Sequence, residues 1–394
     1  MNYLLFDDNS WDNLLPLTFT RPVSELRLGI LKIKEKWEKY LKSNCSYITK
    51  DYLSEKYQSK YENDNILINS SFIPNNEIAN EIKLLKSSES IEYKNVIVAI
   101  RLDKESAINF DFNNVRVSKK ETSISLNKIN YPWDLFTLNG QEIESDYKLI
   151  TLNRKSIDIS KNNNLICPEK IFIEDGATVL FSNLNATNGS IYIGKDSEIM
   201  EGSNIRGSFA LCEHSALKLA SKIYGPTTIG PHSKVGGEVN NSIIIGYSNK
   251  AHDGFLGQAV IGEWCNIGAD TNNSNLKNNY TDVKMWNYPK QAFIKTGLTF
   301  CGLIMGDHSK CGINTMFNTG TVIGVNSNIF GGGYPRNFIP SYSWGGSNQM
   351  IHYEFDKAIE VAKKVMIRRN IELSEIDIKI LKHIFEITEV FRSK

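Results

Sequence analysis

What this sequence lacks narrows it first. It has no surplus of charge: 45 Lys and Arg stand against 44 Asp and Glu, a net charge of +1. A dedicated binder of polymeric nucleic acid carries a basic excess, so that class is excluded, and so is attachment to an anionic membrane by charge alone. No apolar run approaches the ~18 residues that span a bilayer as a helix. The start, MNYLLFDDNSWDN, carries acids where a secretory leader would be basic, so the expectation is a cytoplasmic protein with no membrane insertion. Cysteine is scarce and scattered: Cys45, Cys167, Cys212, Cys265, Cys301 and Cys311 form no CxxC pair. That disfavours a disulfide scaffold and a structural zinc site, and predicts buried or half-buried thiols. Histidine is scarce too, and His214, His232, His252 and His308 stand singly, so a site of several convergent imidazoles is not expected. Neither GxGxxG nor GxxxxGK[ST] occurs near the start. Apolar residues are not lacking: 41% of 394 residues, with 10% aromatic, suffice for the cores of two or three domains and exclude wholesale disorder.

Glycine is the exception to scarcity, and its 27 copies concentrate in the middle of the chain. Between about residues 171 and 333 an apolar residue recurs every six positions. The cleanest run is Met305, Cys311, Phe317, Ile323 and Ile329, with Ser309, Thr315, Thr321 and Ser327 four residues after the first four. Ile193, Ile199 and Ile205 repeat the pattern earlier, and glycine often follows the apolar residue, as at Gly194, Gly230, Gly262 and Gly306. A period of six fits neither an α-helix nor an ordinary strand. It fits a parallel β-helix, in which three hexads make a triangular coil, the aliphatic residue points inward, and Gly or Asn takes the strained turn. This pattern resembles the hexapeptide-repeat, left-handed β-helix proteins, many of which are acyltransferases. The repeat breaks at NNSNLKNNYTDVKMWNYPKQAFIKTG, where an insertion is expected to emerge as a loop.

The ends have other textures. Tyr3–Phe6, Ile66–Ile68 and Val96–Ile100 read as short buried strands, and Glu25–Leu41 reads as a helix through Leu28, Leu31, Ile33 and Trp37. Their alternation predicts an α/β domain over 1–155. A β-helix over 165–345 follows, then a helical tail over 353–394. In the tail Phe355, Ile359, Ala362 and Met366 share one face, and Ile376, Ile380, Ile384 and Ile387 form a stripe. Ser374 with Asp377 three residues on reads as a capping box.

His252, in KAHDGFLGQAVIGEWCNIGADT, has the most suggestive setting of the histidines. It is expected at a turn of the coil beside glycines that admit a ligand. Acyl transfer to an amine needs a base near neutrality and a donor for the oxyanion, and His252 with nearby amides can supply them. A structural turn histidine, a zinc-dependent carbonic anhydrase and a non-catalytic scaffold are the competing readings of the same pattern.

The string AHDGFLGQAVIGEWCNIGADT resembles the acetyltransferase half of the bifunctional N-acetylglucosamine-1-phosphate uridyltransferase / glucosamine-1-phosphate acetyltransferase family. The resemblance implies His252 as general base, Phe255 in place of a sugar-phosphate-contacting tyrosine, Asn266 at the sugar and Asn275 near the acyl donor. It implies Lys277 or Lys284 near the acetyl-CoA phosphates. LLPLTFTRPVSELRLGILKIKEKW, PWDLFTLNG and SYSWGG further resemble a divergent Bacteroidetes branch of sugar-nucleotide transferases, across essentially the whole chain. The glycine-rich signature of the standard uridyltransferase half is absent. In its place Arg21, Arg27 and Lys36 are candidates for nucleotide phosphates, and Asp7 and Asp8 for Mg²⁺. The expected function is acetyl transfer from acetyl-CoA to glucosamine-1-phosphate and uridylyl transfer from UTP, giving UDP-N-acetylglucosamine for envelope polysaccharide. The alternatives are one activity alone or a scaffold. The resemblance also implies small-molecule substrates and a homotrimer.

Overall fold

Alternating apolar runs at the start of the chain pair into a six-stranded mixed sheet. In the computed structural model, which describes residues 1–114 and 117–392, its strands are β1 (Asn2–Phe6), β2 (Cys45–Ile48), β3 (Asp64–Asn69), β4 (Glu89–Tyr93), β5 (Val96–Asp103) and β6 (Ser118–Glu121), in the order β2-β1-β3-β5-β4-β6. β1 runs parallel to β2 and β3, with Leu4 opposite Ser46 and Leu67, whereas β5 is antiparallel to β3 and β4. Leu4, Phe6, Leu67, Ile100 and Leu102 form the core of one face. Because β1, β2 and β3 are parallel, their carboxyl ends bring Asp7, Asp8, Thr49 and Ser70 to one edge. That is where open α/β sheets bind ligands.

This sheet belongs to a first compact unit made of Met1–Leu14, Thr20–Leu26 and the described residues of Leu31–Tyr131; a second holds Leu15–Phe19, Arg27–Ile30 and everything described from Pro132 on. The helix expected over Glu25–Leu41 is therefore broken. Val23–Glu25 is a single 3₁₀ turn and the α-helix begins only at Ile33. The cause is Gly29, which sits at φ +76° with its N–H donating to Asn139 and its carbonyl accepting from Thr228 at 2.9 Å each. Those tertiary bonds replace the helical ladder. Asn139 lies on a long helix, Pro132–Thr151, whose inward face carries Asn139, Glu142 and Asp146 beside Phe136 and Ile143.

From Asn164 the chain winds as the parallel β-helix expected, with three sheets of six, nine and ten strands, of which only Met350–His352 at the end of the last pairs antiparallel. Met305, Cys311, Phe317, Ile323 and Ile329 all enter its apolar interior, with Ile193, Ile199, Ile205, Ile229 and Ile261. The small residues cap carbonyls between coils: Ser309 Oγ donates to Gly324 O at 2.6 Å and accepts from Ser327 N at 2.9 Å. The expectation about corners holds in part: Gly202, Gly225, Gly237, Gly320, Asn241 and Asn314 take positive φ at turns of the coil. The left-handed position of one corner is held by His214, His232, Tyr247, Trp264, His308, Asn326 and Tyr342, all at φ between 52° and 61°. The glycines after the apolar residue serve close approach instead. A Cβ on Gly194 would lie 2.7 Å from Glu213 N, and one on Gly306 2.9 Å from Gly324 C.

The insertion is an antiparallel hairpin, Lys284–Asn287 with Ala292–Lys295, and the coil persists to Asn272–Asn273, which pairs with Met316–Phe317. Three helices end the described chain, Phe355–Ile367, Glu375–Ile387 and the single turn Glu389–Arg392. Ala358, Ile359, Ala362 and Met366 are buried on the first. On the second the stripe drifts: Ile380, Leu381 and Ile384 are buried while Ile387 is 43% exposed. Ser374 caps it by accepting from Asp377 N at 3.1 Å. Among the described residues no helix is long and apolar enough to cross a membrane.

Candidate functional site

His252 lies in the turn between Asn249–Lys250 and Phe255–Gly257, with its side chain exposed. The turn is possible because Gly254 adopts φ +117° and passes close to Thr271 on the next coil, where any side chain would collide. His252 lines a groove of about 750 Å³ with Asn266 and Ala269 on the coil and Val361 and Val365 on the Phe355–Ile367 helix. Lys234, Lys310, Arg368 and Arg369 also line it, and no carboxylate does. An imidazole and four cations without a counter-charge define a site for an anion. Lys310 is desolvated enough that its ammonium is pushed down to about 8, and its Nζ donates to His308 O at 2.7 Å. Burial and the neighbouring Arg368 also lower Arg369 from the usual guanidinium range. Arg369 donates to Asn249 Oδ1 at 3.3 Å, which ties the helix to the coil.

One wall of the groove is aromatic. Tyr247 and Trp264 stack with centroids 4.4 Å apart, and the column continues through His232 and His214 on one side and His308 on the other. This corrects the expectation that the histidines stand apart, because His214 and His232, one coil apart, stack at 4.7 Å. Their column is stacked rather than convergent. Among the described residues no group of three or more His, Cys, Asp or Glu side chains could hold a metal ion.

The other predicted residues fall into separate places. Phe255 and Asn275 meet at Gly257, a Cβ on which would lie 2.8 Å from Asn275 Nδ2. Phe255 N donates to Asn272 Oδ1 at 2.8 Å, and Asn275 donates to Gln258. Lys277 and Lys284 share a second groove, of about 560 Å³, with Trp286, Phe293, Arg336 and Phe338. Arg27 is spent inside the second unit: it donates to Ile245 O at 3.3 Å and to Ile30 O. Arg21 and Lys36 lie in the first unit, only 4% and 1% exposed, so neither stands open to a nucleotide phosphate.

Asp7 and Asp8 also differ from expectation. Asp7 accepts from Val23 N at 2.9 Å, Ser70 Oγ at 2.9 Å and Thr49 Oγ1 at 2.6 Å. Burial nevertheless raises its carboxyl to about 7, outweighing those bonds. Burial would raise Asp8 as well, but the Lys128 ammonium at 3.0 Å and hydrogen bonds from Asn69 and Ser10 hold it below the usual range. Both carboxylates are occupied by protein donors and one already has a resident cation. As arranged they do not fit a divalent metal.

The sequence reading missed Lys250, Lys310, Arg368, Arg369 and the Tyr247–Trp264 wall. Lys250 alone left a signal, a lysine where the hexad demands an aliphatic. Five of the six cysteines are buried, as predicted, and burial pushes Cys45, Cys265 and Cys301 up to about 12, leaving them inert as nucleophiles.

An α/β sheet followed by a parallel β-helix with a cation-lined groove makes a two-part architecture. Residues 3–155 match the family described as sugar nucleotidyl transferase. A bifunctional sugar-1-phosphate nucleotidylyltransferase/acetyltransferase of Sulfurisphaera tokodaii is 26% identical over 194 residues, 48% of this chain and 45% of that protein. The bifunctional protein GlmU of Methanococcus aeolicus is 33% identical over 127 residues, 32% of this chain and 26% of that protein. The chain thus spans less than half the length of these curated relatives. Solved UDP-N-acetylglucosamine acyltransferases from Arabidopsis and Campylobacter jejuni cover 52% and 58% of this chain, and 74% and 96% of their own chains, at 12% and 14% identity and TM-scores of 0.26 and 0.24. The resemblance to the bifunctional family stands on the first three matches. The two relatives named lie outside the Bacteroidetes branch.

Proposed function

We propose that the chain is a cytoplasmic transferase of amino-sugar phosphate metabolism, with an acyl-transfer site at the His252 groove. The observation that carries this reading is the groove itself: one exposed imidazole among four cations and no carboxylate. A sugar phosphate and the phosphates of acetyl-CoA are both anions that such a groove attracts. In the proposed step the amine of glucosamine-1-phosphate attacks the thioester carbon and His252 takes the amine proton. The C–S bond then breaks and the coenzyme leaves as a thiolate, which takes the proton back from the His252 imidazolium to become the thiol. Asn266 in the same groove is assigned to the sugar. Phe255 is assigned to the sugar phosphate, and Asn275, Lys277 and Lys284 to the acyl-donor side of the reading.

The matched stretch 3–155 supports nucleotidyl transfer as the second activity, joining N-acetylglucosamine-1-phosphate to UTP with release of pyrophosphate. The family usually supplies Mg²⁺ chemistry to such a step, but Asp7 and Asp8 do not provide it here. The functional division we adopt is 1–155, 165–345 and 353–394. The test is a substrate panel. Thiol release from acetyl-CoA is followed with glucosamine-1-phosphate and with unphosphorylated glucosamine. Pyrophosphate release is followed with UTP, CTP and dTTP with and without Mg²⁺. The acyl reading expects thiol release that needs the phosphate and collapses in His252→Ala. An unchanged rate in that variant removes His252 as base, and no pyrophosphate from any nucleotide removes the second activity.

A further inference from the structure

The ten-stranded sheet sends one inward residue per coil into the prism. Down that column stand Val179, Ile199, Leu217, Val235, Lys250, Ile267, Cys311 and Ile329. Seven are aliphatic or thiol and belong to the apolar core. Lys250 is the exception, and it is only 2% exposed. A lysine in that position costs desolvation that valine or isoleucine would avoid. Packing alone therefore does not account for it.

Its bonds are specific. Nζ donates to His252 O at 2.7 Å and to Gly236 O at 2.9 Å. One is the carbonyl of the turn that carries the imidazole; the other belongs to the coil beneath it. The two coils approach closely here. A Cβ on Gly237 would lie 2.8 Å from Asp253 Cα and 2.9 Å from His252 O. Two other carbonyls of the turn are held by neighbouring coils, Asp253 O by Asp270 N at 3.0 Å and Gly254 O by Glu238 N at 3.3 Å, while that of His252 is held by Lys250. Two inward carbonyls that an aliphatic column cannot satisfy are thus clasped by one ammonium from inside the prism.

We propose that Lys250 is a positioning residue that fixes the His252 turn from within the coil, so that the imidazole meets the attacking amine in one orientation. This rests on the reading of His252 as general base. A base held loosely spends less time within reach of its proton, which lowers turnover more than substrate affinity.

The experiment compares Lys250→Met, Lys250→Gln and His252→Asn in the full-length protein, by thiol release from acetyl-CoA with glucosamine-1-phosphate. Met matches the column in character, so the variant is expected to fold. Its kcat should fall at least tenfold with both KM values within about threefold, and the amides of residues 251–254 should exchange faster with deuterium while those of neighbouring coils do not. Gln retains one donor group and should recover part of kcat. Wild-type kcat in Lys250→Met, with His252→Asn inactive, overturns the proposal and leaves the base reading intact. Full activity in His252→Asn overturns the base reading itself. Loss of the fold in both Lys250 variants makes the lysine structural and also overturns the proposal.

Discussion

Asp7 shows how a single side chain departs from what its position suggests. A strand-end carboxylate reads as a metal ligand or a solvated cap, but here three protein donors and burial enclose it, and its carboxyl is raised to about 7. Its pKa is higher in the fold than in the unfolded chain, so the folded state holds a proton that the unfolded state has released. Stability therefore declines as pH rises from about 4 to 7, by something on the order of 1–3 kcal/mol after allowance for relaxation. Asp7→Asn removes that decline. Urea melts at pH 5 and pH 8 are expected to converge in the variant and to differ in the wild type. A wild type whose stability does not fall over that interval would contradict the burial argument. The residue scale is also where the sequence was least legible. Nothing in FDDNS told that Lys128, far along the chain, closes on Asp8, and nothing in LTFTRPVSELRLG told that Arg27 turns to Ile245 O. Both partners are long-range, and charge type alone does not choose between a ligand and a protein carbonyl.

At the scale of elements the six-residue period was legible because each hexad meets the same interior, and every member of the Met305–Ile329 run is in it. The Pro132–Thr151 helix was not, since its inward face holds Asn139, Glu142 and Asp146, which blurs the apolar period on which a helix is recognised. The Phe355–Ile367 helix was legible as a packing element but not as a wall of the groove. Its inner face gives Val361 and Val365, and Arg368 and Arg369 follow at its end. If that helix end binds the acceptor's phosphate, Arg368→Gln with Arg369→Gln should raise KM for glucosamine-1-phosphate at least tenfold, as expected from the loss of charge-assisted bonds. kcat at saturation should change little. Inorganic phosphate should compete with glucosamine-1-phosphate in the wild type and much less in the variant, and equal inhibition of both would refute a phosphate role. The neighbouring helix offers an independent check. Ser374→Ala loses the bond to Asp377 N and should lower stability by about 1 kcal/mol, read as a shift in the denaturation midpoint without effect on thiol release.

For the whole molecule the unanswered part of the physics is apolar surface. Along consecutive turns of the β-helix Ile313 is 69% exposed, Met316 36% and Phe330 41%. Gly312 lies against Phe330, a Cβ there falling 3.3 Å from the Phe330 Cβ, so Ile313 and Phe330 sit on neighbouring coils. Ile313 also lines the His252 groove. Exposed apolar residues beside a binding groove are where a partner surface is expected, and the homotrimer implied by the resemblance would put another copy of the chain there. A stable interface of that kind buries on the order of 1,000 Å² or more, and its stability then depends on protein concentration. Native mass spectrometry and light scattering should give three chains per particle at micromolar concentration, and the melting temperature should rise with concentration. Ile313→Glu with Phe330→Glu places charges at that surface and should yield monomers. The loss of thiol release should then track the loss of trimer across a dilution series. A wild type that stays monomeric and active at every concentration refutes the assembly, and a monomeric variant with full activity shows that each groove works without a neighbour.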